Sequence, residues 1–388
     1  MRRALLVLAV AAAPQAVEAE QVAAAGNGAS AGIERHFTTD VLDSPVARSD
    51  FYTRATGSFR YFGDIEVGRI GISGEVSASR HDTVRIEDDF AAGVTVEATR
   101  RVAEHLELRG ALSATVGEEG DDLPLGPFAI GIRTRTVALA ATLQAGYDIG
   151  QGTSISVETT ASSERSGRTR FEDDVIGPIK LEPDRRRLKG GIRLAHVVGD
   201  TTAAVMASGR STHVQEIGWP PVSLGFGEAG VATELVRTWA NGARAALSLG
   251  MQAIAARDAD YRHLRPVWHA ELSGPVGEGL ELRGALSAAF ETTDTDDPLA
   301  SYVMRGEVEL GYRPWERLTL ALGAYVEGRR NLLLENREDV AGGYGEAVYA
   351  LSPAFSLVVR ADYRQSKVTI LEIRTRGLDT FLGIRARM

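Results

Sequence analysis

Residues Gly279 to Phe290 alternate with a period of two. Leu280, Leu282, Gly284, Leu286, Ala288 and Phe290 fall on one side, and Glu281, Arg283, Ala285, Ser287 and Ala289 on the other. A two-residue period places an apolar and a polar face on a β-strand, whereas a helix repeats near 3.6. The same alternation recurs from about residue 33 to the last residue, with no helical stretch of useful length. So many two-faced strands need a shared solution. The pattern predicts an all-β fold: a transmembrane antiparallel up-and-down β-barrel with its apolar face on lipid and its polar face on a water-filled lumen.

Two kinds of connection alternate along the chain. The short ones are Gly63-Asp64, Arg101 to Glu104, Asp148 to Gly152, Gly199-Asp200, Ala240-Asn241-Gly242, Val276 to Glu278, Arg313-Pro314-Trp315 and Ser352-Pro353. Asn-Gly is a strong hairpin signal. The long ones are polar and charged, with Ser163 to Arg186 the longest. Short turns on one side and longer loops on the other are the habit of outer-membrane barrels. The short turns pair strands near 51–62/65–79, 87–100/105–117, 133–147/153–163, 187–198/201–211, 224–239/242–256, 261–275/279–291, 300–312/316–329 and 343–351/355–365. A strand at 378–388 is left over. By parity an ascending strand must precede the first pair, and Gly32 to Val41 is the weakly patterned candidate. The expected total is about eighteen, within a range of 16–18.

The lumen face follows from cost. An arginine on lipid at mid-bilayer costs roughly 2–4 kcal/mol, so the strand arginines should point inward. The expected lumen set is Arg69, Glu75, Arg109, Arg193, Arg244, His263, Arg265, His269, Glu271, Arg283, Arg305, Glu307, Glu309, Arg360 and Asp362. Both signs are present, which predicts weak ion selectivity. Phe62, Tyr147, Trp239, Tyr312 and Trp315 lie beside short turns and are expected to form an aromatic girdle. Leu106 to Ala114 repeats as Leu280 to Ala288, both reading LELRGALSA; duplication and convergence within a small strand alphabet both account for it.

Composition narrows the setting. The chain has 388 residues, no cysteine and a formal net charge of -9. Acidity argues against a nucleic-acid partner, since phosphate binding needs a basic surface. Arg2-Arg3, the apolar run Ala4 to Ala13 and Val17-Glu18-Ala19 predict a signal peptide over 1–19. Residues 20–31 then read as a flexible periplasmic lead-in and 32–388 as the barrel. No plug-like segment precedes the strands and no passenger segment is evident, which favours a passive barrel over an energy-coupled receptor or an autotransporter.

Catalytic signals are lacking. There is no phosphate-cradling glycine loop, no His-Glu-x-x-His and no Gly-x-Ser-x-Gly. His263 and His269 are six residues apart on one strand, about 20 Å, too far to share a metal. The expectation is a non-enzyme with no cofactor and no metal. Acidic clusters at Glu118 to Asp122, Glu172 to Asp174 and Asp294 to Asp297 could hold divalent cations that bridge lipopolysaccharide, or could simply be solvated loops. The Ser163 to Arg186 loop, long and charge-rich, is expected to fold inward as a constriction or to meet an anionic surface polymer.

The stretch Phe37-Thr38-Thr39-Asp40-Val41-Leu42-Asp43-Ser44-Pro45, leading through Arg48-Ser49-Asp50 into the first clear strand, together with the signal segment and the hairpin meander, resembles the β-barrel porin 2 group of Gram-negative outer-membrane proteins. The resemblance implies an outer-membrane barrel, in some members associated with exopolysaccharide export, and brings no catalytic residues. The chain ends on Met388 where such barrels usually end on an aromatic residue. The functional expectation is a porin-like channel for small hydrophilic solutes, and the alternative is a structural or export partner in surface polysaccharide secretion. Implied partners are the lipid bilayer and lipopolysaccharide, the barrel-insertion machinery and a surface polysaccharide.

Overall fold

The computed structural model describes residues 27–40, 48–66, 68–125, 128–172, 176–215, 223–256, 262–291, 301–331, 336–369 and 373–388. The expected signal peptide and the Asp294 to Asp297 cluster lie outside them. The strands are β1 (Gly28–Thr38), β2 (Asp50–Ile65), β3 (Gly68–His81), β4 (Phe90–Ala103), β5 (Leu106–Leu125), β6 (Phe128–Gly150), β7 (Thr153–Ser166), β8 (Arg170–Phe171), β9 (Asp184–Val198), β10 (Thr201–Gln215), β11 (Ser223–Thr238), β12 (Arg244–Ala256), β13 (Arg262–Gly277), β14 (Leu280–Glu291), β15 (Ser301–Trp315), β16 (Leu318–Asn331), β17 (Arg337–Ala350), β18 (Phe355–Val368) and β19 (Ile373–Arg387). All nineteen belong to one sheet. β8 is a two-residue adjunct on β6, while β7 pairs directly with β9. That leaves eighteen wall strands. β1 pairs antiparallel with both β2 and β19, so the wall closes.

Closure satisfies the backbone. A sheet in hydrocarbon cannot leave an edge of unpaired N–H and C=O groups. Among the described residues there is no α-helix, only a 3-10 turn at Arg85–Glu87. The outward positions are aliphatic and exposed: Leu112, Leu143, Leu264, Leu322 and Val326 are each at least 60% accessible. A water-soluble fold does not leave such a continuous belt uncovered.

Several boundaries differ from the sequence expectation. The first strand is Gly28–Thr38, four residues earlier than expected, so Gly28 to Ala31 belong to the wall rather than to the lead-in. No turn forms at Gly63-Asp64; these residues pair with Ile70 and Arg69, and β2 continues to Ile65. The continuation sets Asp64 beside Arg69 at 3.9 Å. The Asn241-Gly242 turn exists but is longer than a two-residue hairpin. The Trp239 N–H donates to the Ala243 carbonyl, the Asn241 side chain accepts from the Ala243 N–H, and Gly242 takes φ 85°, a left-handed conformation that suits glycine.

The described residues of the Ser163 to Arg186 connection do not line the cavity, contrary to the expected constriction. Its β8 segment pairs with Ile132 and Arg133 near the loop end of β6, and Thr169 bridges Ile179. The Gly167 and Glu172 N–H groups donate to the Arg135 and Gly131 carbonyls, so part of this segment adds to the wall. The connection after β3 is pinned as well: Asp50 accepts the Thr83 and Val84 N–H groups at 3.1 and 2.9 Å.

Candidate functional site

The interior holds a cavity of about 4770 Å³. Its lining runs from the short turns, at Gly152, Gly199, Gly279 and Pro353, up past the middle of the strands. Glu75, Arg109, Arg193, Arg244, His269, Glu271, Arg283, Arg305, Glu307, Glu309, Arg360 and Asp362 all line it. Arg69, His263 and Arg265 share the inward parity of their strands but lie beyond its lining. Arg69 sits at the short-turn mouth with its guanidinium 4.1 Å from the Phe62 ring.

Many of the lining charges are paired, within a strand or across strands. Arg109 meets Glu97 at 3.0 Å, Arg244 meets Glu271 at 3.1 Å, and Arg283 lies between Glu281 and Glu309 at 3.3 and 3.9 Å. Arg305 bridges Glu327 at 2.7 Å and Glu291 at 3.3 Å. Arg360 holds Asp362 at 2.8 Å and Glu346 at 3.6 Å, with its guanidinium 4.3 Å above the Tyr344 ring. Arg193 reaches over β10 to Glu234, and Arg210 pairs with Glu228. A pair of opposite charges a few ångströms apart leaves little field at a distance longer than its own separation. The opposite arc of the lining, on β2 to β7, is rich in hydroxyls, including Thr56, Ser58, Ser73, Ser77, Thr95 and Thr136.

The seam where β1 meets β19 carries a network absent from the expected set. Glu34 on β1 takes Arg385 of β19 at 3.0 Å and His36 at 3.2 Å. His36 also reaches Asp379 at 2.9 Å, and the Tyr52 hydroxyl donates to the same carboxylate at 2.9 Å. The rings of Phe381, His36, Tyr52 and His81 follow one another on β19, β1, β2 and β3 with centroids 4.3 to 4.6 Å apart. The alternation Gly32-Glu34-His36 against Ile33-Phe37 was the available signal for the β1 part.

Nearer the loop end the inward positions change character. Asp50, His81, Thr134, Ser166, Arg185, Val214, Phe226, Ile254, Ser301, Asn331, Ser366 and Thr375 are all buried, and none of them lines the cavity. Val214, Phe226 and Ile254 belong to one packed apolar cluster with Phe290. On one side of the mouth, Arg48 ahead of β2 meets Glu172 beside β8 at 3.5 Å. The lining thus reaches the short-turn end, and the described inward positions at the loop end form a buried collar.

The aromatics expected to form a girdle fall in different places. Tyr147, Tyr312 and Trp315 are exposed near the short turns, accompanied by Phe59, Tyr61, Tyr349 and Phe355. Trp239 lies in the β11–β12 connection with the Arg237 guanidinium 5.3 Å from its ring. Phe62 is different: it shares the inward parity of Arg54 and Ser58 and covers Gly71 across the strand pair. Arg69 on its ring explains the inward position, since a cation over an aromatic face is attractive.

At the loop rim, outside the spanning segments, Asp82 pairs with Arg35. The Arg35 hydrogen bond holds the Asp82 carboxyl below the usual carboxylate range. Among the described residues no group of three or more His, Asp or Glu is arranged to hold a metal ion.

An eighteen-strand closed ring, an aliphatic outer belt and a charge-lined interior define a transmembrane β-barrel of the outer-membrane type. Solved structures of that class share the fold. The FrpB iron transporter from Neisseria meningitidis (F3-3 variant) aligns with a TM-score of 0.52 at 8% identity, over 91% of this chain and 64% of that one. The copper transporter OprC aligns with a TM-score of 0.50 at 12% identity, over 89% of this chain and 62% of that one. The chain therefore spans less than two thirds of the length of these structures. No family model matches the chain. No curated protein matches it either.

Proposed function

We propose that this barrel is a porin-like, non-enzymatic channel in the outer membrane that lets small hydrophilic solutes diffuse passively. The observation that carries the proposal is that the lining mixes both signs, with many of its arginines held by carboxylates on the same or nearby strands. A lumen lined by Arg–Glu pairs and hydroxyls is wettable, yet offers no single-sign field to retain an ion. Barrels of sixteen to eighteen strands leave an aqueous channel unless something plugs it. The resemblance to the β-barrel porin 2 group points the same way. The test is conductance of the refolded protein in a planar bilayer under a salt gradient. The expected result is a stable conductance with a reversal potential near zero. A strongly cation- or anion-selective current contradicts the charge-pairing argument, and the absence of any current contradicts the channel.

The buried collar favours a second reading: a barrel held shut at its loop end, serving as an export partner for a surface polysaccharide. Swelling of liposomes in small sugars separates the two. A porin-like channel swells them without any partner, and a shut barrel does not.

A further inference from the structure

The outward face of β16 to β19 changes abruptly near the loop end. On β19, apolar Leu382 and Leu378 give way to exposed Arg376 and Arg374. At the same height Arg330 follows Val326 on β16, Lys367 follows Tyr363 on β18, and Arg337 and Asp339 flank the top of β17. The strand parity puts these cations outside the barrel, because Arg329, Glu338 and Arg364 on the same strands line the cavity. They stand just above the aliphatic belt, where headgroups begin.

Their pairing is unfavourable by itself. Arg330 is directly opposite Arg337, and Lys367 is directly opposite Arg374. Like charges in directly opposed positions destabilise a strand pair. Asp339 compensates for Arg337 alone, at 2.9 Å. No carboxylate among the described residues pairs with Arg330, Lys367, Arg374 or Arg376. Some rim cations elsewhere are matched, Arg35 by Asp82 and Arg133 and Arg170 by Glu118; the strip is set apart by its two directly opposed like-charged pairs. Among the described residues, five cations and one carboxylate thus remain on a strip three strand spacings wide, about 14 Å.

We propose that this strip binds the multiply phosphorylated headgroup of an outer-leaflet glycolipid. The inference rests on the outer-membrane reading, which puts the long loops outside and so places the strip at outer-leaflet height. Arginine and lysine in a row suit phosphate oxygens through charge-assisted hydrogen bonds. The adjoining aliphatic belt takes the acyl chains. A phosphorylated lipid satisfies both surfaces at once, which a free anion cannot.

The test measures lipid retention by native mass spectrometry of the refolded protein in neutral detergent. Three probes are compared: bis-phosphorylated lipid A, the same lipid after enzymatic dephosphorylation, and phosphatidylglycerol. Lipid A is expected to bind most tightly, and its binding to weaken as salt is raised. The variant combining R330Q, K367Q, R374Q and R376Q should lose at least about ten-fold in affinity. These outward positions leave the lumen untouched, so its conductance should equal that of the parent. Inorganic phosphate at equal concentration should not compete; equal competition identifies a free-anion site and overturns the lipid assignment. Equal binding of dephosphorylated lipid or phosphatidylglycerol overturns it too, and needs no variant to fold. A protein without conductance that still binds lipid A selectively refutes the channel while leaving the strip intact.

Discussion

At the scale of single residues, direction matters more than identity. Leu286 and Ser287 are neighbours, yet Leu286 is 54% exposed on the outer belt while Ser287 lines the cavity. Leu286→Arg should therefore destabilise the folded barrel by about 2–4 kcal/mol, and Ser287→Arg by far less. Denaturant titration of the protein folded into lipid vesicles reads the difference. This two-way choice was legible in the sequence, because period-two alternation needs no knowledge of partners. Phe62 shows where that argument stops. Its nearness to a short turn suggested a lipid-facing ring, but strand parity and Arg69 turn it inward. Asp82 gives a pH signature at the same scale. Its carboxyl is depressed by Arg35 in the folded protein. The contribution of the pair is thus present above the ordinary carboxylate range, near 4, and is lost as pH falls through the lower folded value. Amide protection along residues 82–89, corrected for the intrinsic pH dependence of exchange, should fall on acidification in the parent, and Asp82→Asn should remove the part of that fall due to the Arg35 pair while leaving the part due to Asp50.

Strand pairs carry information that single strands do not. Gly323 faces Tyr344 and Gly342 faces Tyr325 in directly opposed positions on β16 and β17. Each ring lies over the glycine and occupies the space a side chain would need. Tyr344 then reaches Glu309 on β15. Gly323→Ala should push the ring off its place and cost about 1–3 kcal/mol, measured by the same vesicle titration. Tyr344→Ala with Gly323→Ala should cost less than the sum, since both remove one contact. The strands were legible, but these partnerships were not. Register depends on connection lengths, and the sequence misplaced several by a few residues, as at Gly63-Asp64. Arg193 finds Glu234 across an intervening strand, a match that hairpin pairing alone does not suggest. The inward face could thus be assigned in advance for most of the lining, while the ion-pair pattern that neutralises it could not.

For the molecule as a whole, the number of wall strands followed from counting connections, because short and long ones alternate. The closure between β1 and β19 was inferred only from parity, and β1 was its weakest member. The structure supplies the reason it holds. Glu34 is buried at 6% exposure and takes both Arg385 and His36, and four rings in mutual contact continue across the seam. Arg385→Gln should leave Glu34 under-compensated and cost about 1–3 kcal/mol. The seam should then open first on heating, seen as an earlier loss of the compact, heat-modifiable band in gel electrophoresis.

That seam also sets the order of events in assembly. Glu34 and Arg385 are 351 positions apart along the chain, and no hairpin can stand in for their meeting. Contacts of such sequence separation are entropically late and slow to form. Until the last strand arrives, the first has one bare margin, and so has every partly built arc behind it. A version shortened within β19 would keep that margin open, and should accumulate as an aggregate rather than as a narrower ring.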